Sequence, residues 1–176
     1  MLRSGAGERQ EFRASYFIES AVPLQQAAEV IAGEQSSGTF LTLPGETLEL
    51  KERFRARVTR VEAQAPSLTP SLYSAWAARN AREAVFHRGV IEIAFPIENV
   101  GANLPTLMAT IAGNLFELGE VTALRLLDID LPESFASQFP GPQFGVEGTR
   151  RLMGVHGRPV IGTIIKPSVG LSPEAT

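Results

Sequence analysis

Residues 12–34 read FRASYFIESAVPLQQAAEVIAGE, in which a β-strand pattern runs directly into a helix pattern. Residues 12–19 are rich in the types that favour strands. A helix is predicted from Pro23, because proline suits the first helical turn. Four apolar residues then share one helical face: Leu24, Ala27, Ala28 and Ile31. A strand that leads into an amphipathic helix predicts a sheet covered by that helix.

Outward from this unit, four further strands are predicted, at residues 38–43, 53–61, 84–95 and 123–131. Residues 53–61 alternate between polar and apolar types, as a half-buried strand does. The uncharged residues 63–78 are expected to form a loop or irregular connection. Residues 84–95 are apolar enough for a central strand of the sheet.

A second helix is predicted over residues 105–115. Its apolar stripe is formed by Leu104, Leu107, Met108 and Ile111. Two helices over one mostly antiparallel sheet make an α+β sandwich of the ferredoxin-like kind. We assign this domain to residues 1–131.

Residues 132–176 have a different pattern. Residues 146–155 are expected to be helical, and residues 160–166 (VIGTIIK) form a nearly continuous apolar run, typical of a parallel strand buried on both faces. Ser172 and Pro173 predict the start of another helix, which ends after a few residues at Thr176. We therefore expect a truncated βα unit.

The composition excludes several classes of protein. The chain has 176 residues, a formal net charge of −3, 44% hydrophobic residues and no cysteine. This excludes a disordered chain, a disulfide scaffold, a cysteine-ligated metal site and thiol catalysis. Mild acidity argues against nucleic-acid binding. Without an apolar leader or a membrane-spanning segment, the expected location is the cytoplasm.

Few residues suggest chemistry by themselves. The sequence has two lysines, and Lys51 lies in a charged stretch that predicts a solvated side chain. Lys166 ends the most apolar predicted strand, where it either reaches a surface or lines a barrel active site as an acid or base. Residues 34–39 form a polar loop, read either as a helix cap and turn or as a surface for a phosphate or another polar ligand.

Several segments together resemble one family. They are EQSSGTF at 34–40, IAGNLF at 111–116, ALRLLDI at 123–129, FPGPQFGV at 139–146 and GRPVIGTIIKP at 157–167. These segments, in this order, resemble the large subunit of RuBisCO and the RuBisCO-like proteins. The resemblance implies a ferredoxin-like N-terminal domain, followed in residues 132–176 by a linker and the first strand of a TIM barrel.

The same resemblance implies roles for five residues. Lys166 matches a lysine that handles protons during enolisation. Thr39 and the Phe40 backbone match positions that hold a substrate phosphate. Asn114 matches a residue that contacts substrate oxygens, and Glu34 one that orders a lysine of the partner's barrel. The resemblance also implies a homodimer, with an active site shared between subunits. Its Mg²⁺ ligands would lie beyond residue 176, so no metal ligand is assigned here.

Two departures separate this sequence from a true carboxylase. Ser168 stands where the family has a second lysine, and Phe40 where it has a tryptophan. Losing a cation near the substrate weakens charge stabilisation during carboxylation. The resemblance therefore favours a RuBisCO-like isomerase, enolase, decarboxylase or hydrolase acting on a phosphorylated keto-sugar or sugar acid. The alternatives are a true ribulose-bisphosphate carboxylase and, for the isolated chain, an inactive folding or dimerisation module.

Overall fold

The computed structural model describes residues 10–36, 44–73 and 85–162. The chain divides into two compact units, with the division after Gln138. The strand predicted at residues 38–43 lies outside the described residues.

The first unit contains an antiparallel sheet. Its described strands are β1 (Glu11–Ser20), β2 (Arg57–Ser67), β3 (Phe86–Pro96) and β4 (Val121–Asp130). They lie in the order β2-β3-β1-β4, and every neighbouring pair is antiparallel. The strands predicted at 12–19, 84–95 and 123–131 are confirmed, as is the interior position of the second of these. The strand order and the intervening helices form the predicted α+β, ferredoxin-like arrangement.

The described helices are α1 (Leu24–Glu34), α2 (Leu48–Phe54), α3 (Leu104–Ala112), α4 (Glu133–Ala136) and α5 (Gly145–Met153), with 3₁₀ turns at Ile97–Asn99 and Asn114–Glu117. Both predicted long helices of the first domain are confirmed, as α1 and α3. All four apolar residues expected on one face of α1 are buried. They pack toward the sheet face formed by alternate residues of β1, which are fully buried: Phe12, Ala14, Tyr16 and Ile18.

Gly89 permits the close approach of α1 to the sheet. A Cβ atom at this position would meet the backbone oxygen of Glu62 on β2 and would lie 2.7 Å from Cδ1 of Leu24. Because both contacts are closer than van der Waals distance, a larger residue at 89 would separate α1 from β3. The glycine is therefore required by packing.

The strand predicted at residues 53–61 is wrong at its start. Its first two residues, Arg53 and Phe54, belong to α2. The Thr47 side chain caps this helix by accepting a hydrogen bond from the Leu50 N–H at 3.2 Å. The strand begins at Arg57 and continues to Ser67, so the loop predicted from residue 63 is also wrong over its first five positions. There Gln64 pairs with Arg88 of β3.

The apolar stripe predicted for α3 is only half buried. Leu107 and Ile111 are completely buried, whereas Leu104 is 40% and Met108 39% exposed. The helix therefore turns one half of the stripe to the sheet and leaves the other half at the surface of the described chain.

In the second unit, the predicted helix at 146–155 is confirmed as α5. The Arg150 side chain donates to the carbonyl oxygens of Val155, His156 and Arg158 at 3.3, 3.4 and 3.0 Å. This fixes the turn that follows the helix. Residues 160–162 have no regular structure, and the rest of the strand predicted at 160–166 lies outside the described residues.

Candidate functional site

Glu34 and Asn114, both predicted as site residues, lie together although 80 positions separate them in the sequence. Glu34 is the last residue of α1, and Asn114 begins the 3₁₀ turn after α3. The Asn114 Nδ2 group donates a hydrogen bond to Glu34 Oε1 at 2.9 Å. The fold thus brings the ends of both helices to one place and presents a carboxylate and an amide there.

Gln35 joins this pair, and the sequence did not single it out. Its Nε2 group donates to Asn114 Oδ1. The Asn114 amide is therefore bonded on both sides, by Glu34 through its nitrogen and by Gln35 through its oxygen. We call Glu34, Gln35 and Asn114 the amide cluster.

Gly113 allows the chain to turn directly before Asn114. A Cβ atom at residue 113 would collide with the backbone carbonyl oxygen of Ala109, one turn earlier in α3. Only glycine can occupy this position without a backbone shift. The turn ends α3 at Ala112 and lets the chain enter the 3₁₀ turn with Asn114 as its first residue.

Tyr16 ties the end of α3 to the sheet. Its hydroxyl donates to the carbonyl oxygen of Ile111 at 2.8 Å, in a fully buried position. That carbonyl lies in the last turn of α3, where backbone acceptors lack partners within the helix. Burial raises the pKa of the Tyr16 phenol above its ordinary value, so the hydroxyl keeps its proton and remains a donor.

Ser36 fixes the end of α1 in a similar way. Its Oγ donates to the carbonyl oxygen of Ala32 at 2.7 Å and accepts from the N–H of Ala56 at 2.8 Å. Ala56 lies between α2 and β2, so this hydroxyl joins the end of α1 to a segment 20 positions away. Glu34 and Gln35 precede Ser36 directly and are positioned with it.

A second cluster surrounds Glu19, a completely buried carboxylate on β1 that the sequence did not single out. Within the described part of the chain, four donors reach it: the Ser71 N–H, the Ser71 and Thr122 hydroxyls, each at 2.8 Å, and the Arg88 Nε at 2.6 Å. We call this set the Glu19 network. It joins β1, β3 and β4 to the loop that follows β2.

The Glu19 network keeps its carboxyl ionised. Burial by itself raises the pKa of a carboxyl group, but the hydrogen bonds from Ser71, Thr122 and Arg88 outweigh that effect and hold the pKa of Glu19 below its ordinary value. All four hydrogen bonds are within the chain, so we assign the network a structural role: it holds three strands and the loop after β2 together.

The remaining predicted site residues are not placed. Thr39, Phe40 and Lys166 lie outside the described residues, as does Ser168. The structure therefore brings together two of the five predicted site residues. Lys51, predicted to be solvated, forms an ion pair with Glu46 at 3.1 Å.

The described residues do not fit a magnesium site. Across residues 10–36, 44–73 and 85–162, no group of three or more histidine, cysteine, aspartate or glutamate side chains could hold a metal ion. In the same ranges no helix is long and apolar enough to cross a membrane.

The family described as the N-terminal domain of the ribulose bisphosphate carboxylase large chain matches residues 7–135. The chain belongs to this family. The match contains all four described strands, α1, α3 and the amide cluster. The resemblance of the sequence to RuBisCO and the RuBisCO-like proteins is thus confirmed.

Individual relatives are RuBisCO-like. A 3-oxo-isoapionate-4-phosphate transcarboxylase/hydrolase of Xanthobacter autotrophicus is 52% identical over 93% of this chain and 38% of its own length. A 3-oxo-isoapionate-4-phosphate decarboxylase of Rhizobium etli is 43% identical over 92% of this chain and 38% of its own length. The crystal structure of a RuBisCO-like protein from Burkholderia fungorum is 45% identical, with a TM-score of 0.71 over 94% of this chain and 38% of that protein. This RuBisCO-family chain therefore spans well under half the length of these relatives.

Proposed function

We propose that this chain is the substrate-covering N-terminal part of a RuBisCO-like enzyme that forms an enolate from a phosphorylated 3-oxo sugar acid. The observation that carries the proposal is the amide cluster, which pairs Asn114, the position that the family resemblance assigns to a substrate contact, with Glu34, the position that it assigns to a lysine of the partner's barrel. Identity of 52% and 43% to relatives named for 3-oxo-isoapionate-4-phosphate supports this substrate class.

The chemistry of a 3-oxo acid explains what the cluster would do. When the bond between the carboxyl carbon and the α-carbon breaks, its electron pair moves toward the ketone and CO₂ leaves. Negative charge then develops on the ketone oxygen as the enolate forms. An N–H donor held at that oxygen stabilises the transition state. We propose that the Asn114 amide contacts a substrate oxygen, and that Lys166 delivers the proton that converts the enolate to product.

Thr39 and the Phe40 backbone complete the proposed site by holding the substrate phosphate. A hydroxyl and a backbone N–H are both donors suited to phosphate oxygens. Mg²⁺ is proposed as the cofactor, with ligands outside the described residues, and it would stabilise negative charge on substrate oxygens when bound.

A homodimer is proposed as the active form. Glu34 uses Oε1 to accept from Asn114. Because a carboxylate accepts at both oxygens, Oε2 can also take a lysine from the barrel of a partner subunit. This gives Glu34 a double role, holding Asn114 and docking the partner. The proposed location is the cytoplasm.

The test uses a protein that carries this chain together with a barrel of the length found in the relatives. It is given 3-oxo-isoapionate-4-phosphate in D₂O, and both CO₂ release and deuterium uptake into the product are measured. Lys166→Met should lower the rate by about 10² to 10⁴, the usual contribution of general acid–base catalysis. Lys51→Met removes the other lysine of the chain and should leave the rate unchanged.

Full activity of the Lys166→Met variant would refute the role of Lys166. Fixation of ¹⁴CO₂ with ribulose bisphosphate, at a rate comparable to turnover of the 3-oxo acid, would instead favour the true carboxylase. Turnover by the 176-residue chain without a barrel would refute the alternative of an inactive folding or dimerisation module.

A further inference from the structure

We infer that Gln35 is a positioning residue, which together with Glu34 holds the Asn114 side-chain amide in one orientation and thereby decides which atoms Asn114 offers to a ligand. The part of this inference that concerns the substrate rests on the proposed function. The orientation itself follows from the amide cluster: Gln35 Nε2 donates to Asn114 Oδ1, and Asn114 Nδ2 donates to Glu34 Oε1 at 2.9 Å.

The chemistry of the three side chains permits one arrangement. An ionised carboxylate only accepts hydrogen bonds, so the nitrogen of the Asn114 amide must face Glu34. The amide oxygen then faces Gln35, where it needs a donor, and the Gln35 amide nitrogen provides one. A rotation of the Asn114 amide by 180° would place an oxygen against the carboxylate and a nitrogen against a nitrogen. Both contacts would be lost.

This arrangement leaves defined atoms for a ligand. Asn114 uses one N–H for Glu34 and one oxygen lone pair for Gln35, so its second N–H and second lone pair remain after these two bonds. A substrate oxygen meets the N–H without the amide having to reorient. A glutamine side chain is long enough to reach the Asn114 oxygen, because its Nε2 lies three bonds beyond Cβ. A shorter donor such as a serine hydroxyl, one bond beyond Cβ, would not extend as far.

The decisive variant is Gln35→Glu, which keeps the length of the side chain and replaces the donor by an acceptor. The Asn114 amide then lies between two carboxylates and has no orientation that satisfies its oxygen. Gln35→Leu removes the donor without adding charge. Gln25→Glu is the matched control, since Gln25 lies in the first turn of α1 and donates to Glu29 Oε1 at 2.8 Å, whereas Gln35 follows the last residue of α1 and donates to Asn114.

The first readout is the side-chain amide of Asn114, measured in the 176-residue chain by ¹⁵N NMR. The two Nδ2 proton shifts, the heteronuclear NOE and the couplings that report χ1 should indicate a single ordered rotamer in the wild type. Gln35→Glu and Gln35→Leu should shift these signals and lower the NOE. Gln25→Glu should not, and the Asn103 side-chain signals should stay constant throughout. Unchanged Asn114 signals in both Gln35 variants would overturn the inference.

The second readout is kinetic, in the protein with its barrel. If the competent orientation falls from nearly full occupancy to about one tenth, apparent affinity falls by the same factor. KM should therefore rise about 10-fold, while kcat changes less than about 2-fold at saturation. Loss of NMR order with an unchanged KM would support the positioning role and overturn Asn114 as a substrate contact. Equal rises in KM for the Gln35 and Gln25 variants would overturn the link between Gln35 and the substrate.

Discussion

The Glu19 network provides the most demanding test of the fold, through the substitution Glu19→Gln. Each carboxylate oxygen accepts from one hydroxyl and from one group that can only donate. Oε1 faces the Thr122 hydroxyl and the Ser71 N–H; Oε2 faces the Ser71 hydroxyl and the Arg88 Nε. A glutamine has one acceptor oxygen, so whichever way its amide turns, its NH₂ group faces one of these obligate donors.

The expected cost is about 3 kcal/mol. Leaving a buried donor without an acceptor costs about 1–3 kcal/mol, and removing one partner from a buried ion pair about 3–5 kcal/mol. The Arg88 side chain is 29% exposed, so water relieves part of the penalty and places the value at the low end of the second range. For a chain of this size the loss corresponds to a melting temperature lower by about 10 °C.

Urea unfolding at pH 7, followed by circular dichroism, measures this loss directly. The matched control is Glu62→Gln, which makes the same chemical change at a side chain that is 59% exposed and lies 3.2 Å from Arg60. It should cost less than about 0.5 kcal/mol. Equal losses from the two variants would show that the Glu19 network does not stabilise the fold.

The difference in unfolding free energy between the wild type and Glu19→Gln should also depend on pH, which gives an independent check. The pKa of Glu19 is lower in the folded state than in the unfolded chain, where a glutamate has a pKa of about 4.3. The stabilisation is therefore complete above that unfolded value and is lost as the pH falls through the folded pKa. The difference in unfolding free energy between wild type and Glu19→Gln should shrink below about pH 4. A difference that stays constant from pH 7 to pH 3 would contradict the ionised carboxylate.

Two further substitutions test the supports of the candidate site by the same unfolding measurement. Tyr16→Phe removes a buried hydrogen bond and should cost about 1–1.5 kcal/mol, whereas Tyr73→Phe, at a side chain that is 70% exposed, should have no measurable effect. Gly113→Ala drives a methyl group into the Ala109 carbonyl and should cost about 2 kcal/mol or more. Gly33→Ala meets nothing within 4 Å and should be neutral or slightly stabilising. A loss as large in either control as in its partner would refute the corresponding contact.

The sequence predicted best those elements that bury one face. β1, α1 and β3 were found because their apolar residues repeat with the period of a strand or helix facing a core. α2 was missed because it buries none of its side chains, so it carries no apolar stripe. The end of β2 was missed for two reasons. Both of its faces are largely exposed, so its residues show no alternation, and Pro66 favours a loop in the sequence although a proline is acceptable on a strand at the edge of a sheet.

The candidate site was less accessible to sequence reasoning. Glu34 and Asn114 were paired only through the family resemblance, since no local pattern links residues 80 positions apart. Gln35 was missed because nothing in the polar loop at residues 34–39 links it to Asn114, which lies 79 positions further along the chain. Glu19 shows one signal, a charged residue in an apolar strand, but its partners stand 52, 69 and 103 positions further along the chain. Only the fold could reveal them.

The amide cluster is exposed, yet the backbone beneath it is fixed by buried contacts. The Tyr16 hydroxyl holds α3 three residues before Asn114, and the Ser36 hydroxyl holds the chain one residue after Gln35. Sites carried by such anchored elements are positioned more accurately than sites on loops. Variants of the amide cluster and variants of its buried supports should therefore have different effects on stability. Changes at Gln35 should reorient an amide without a loss of stability, whereas Tyr16→Phe should displace the end of α3 and reduce stability and substrate affinity together.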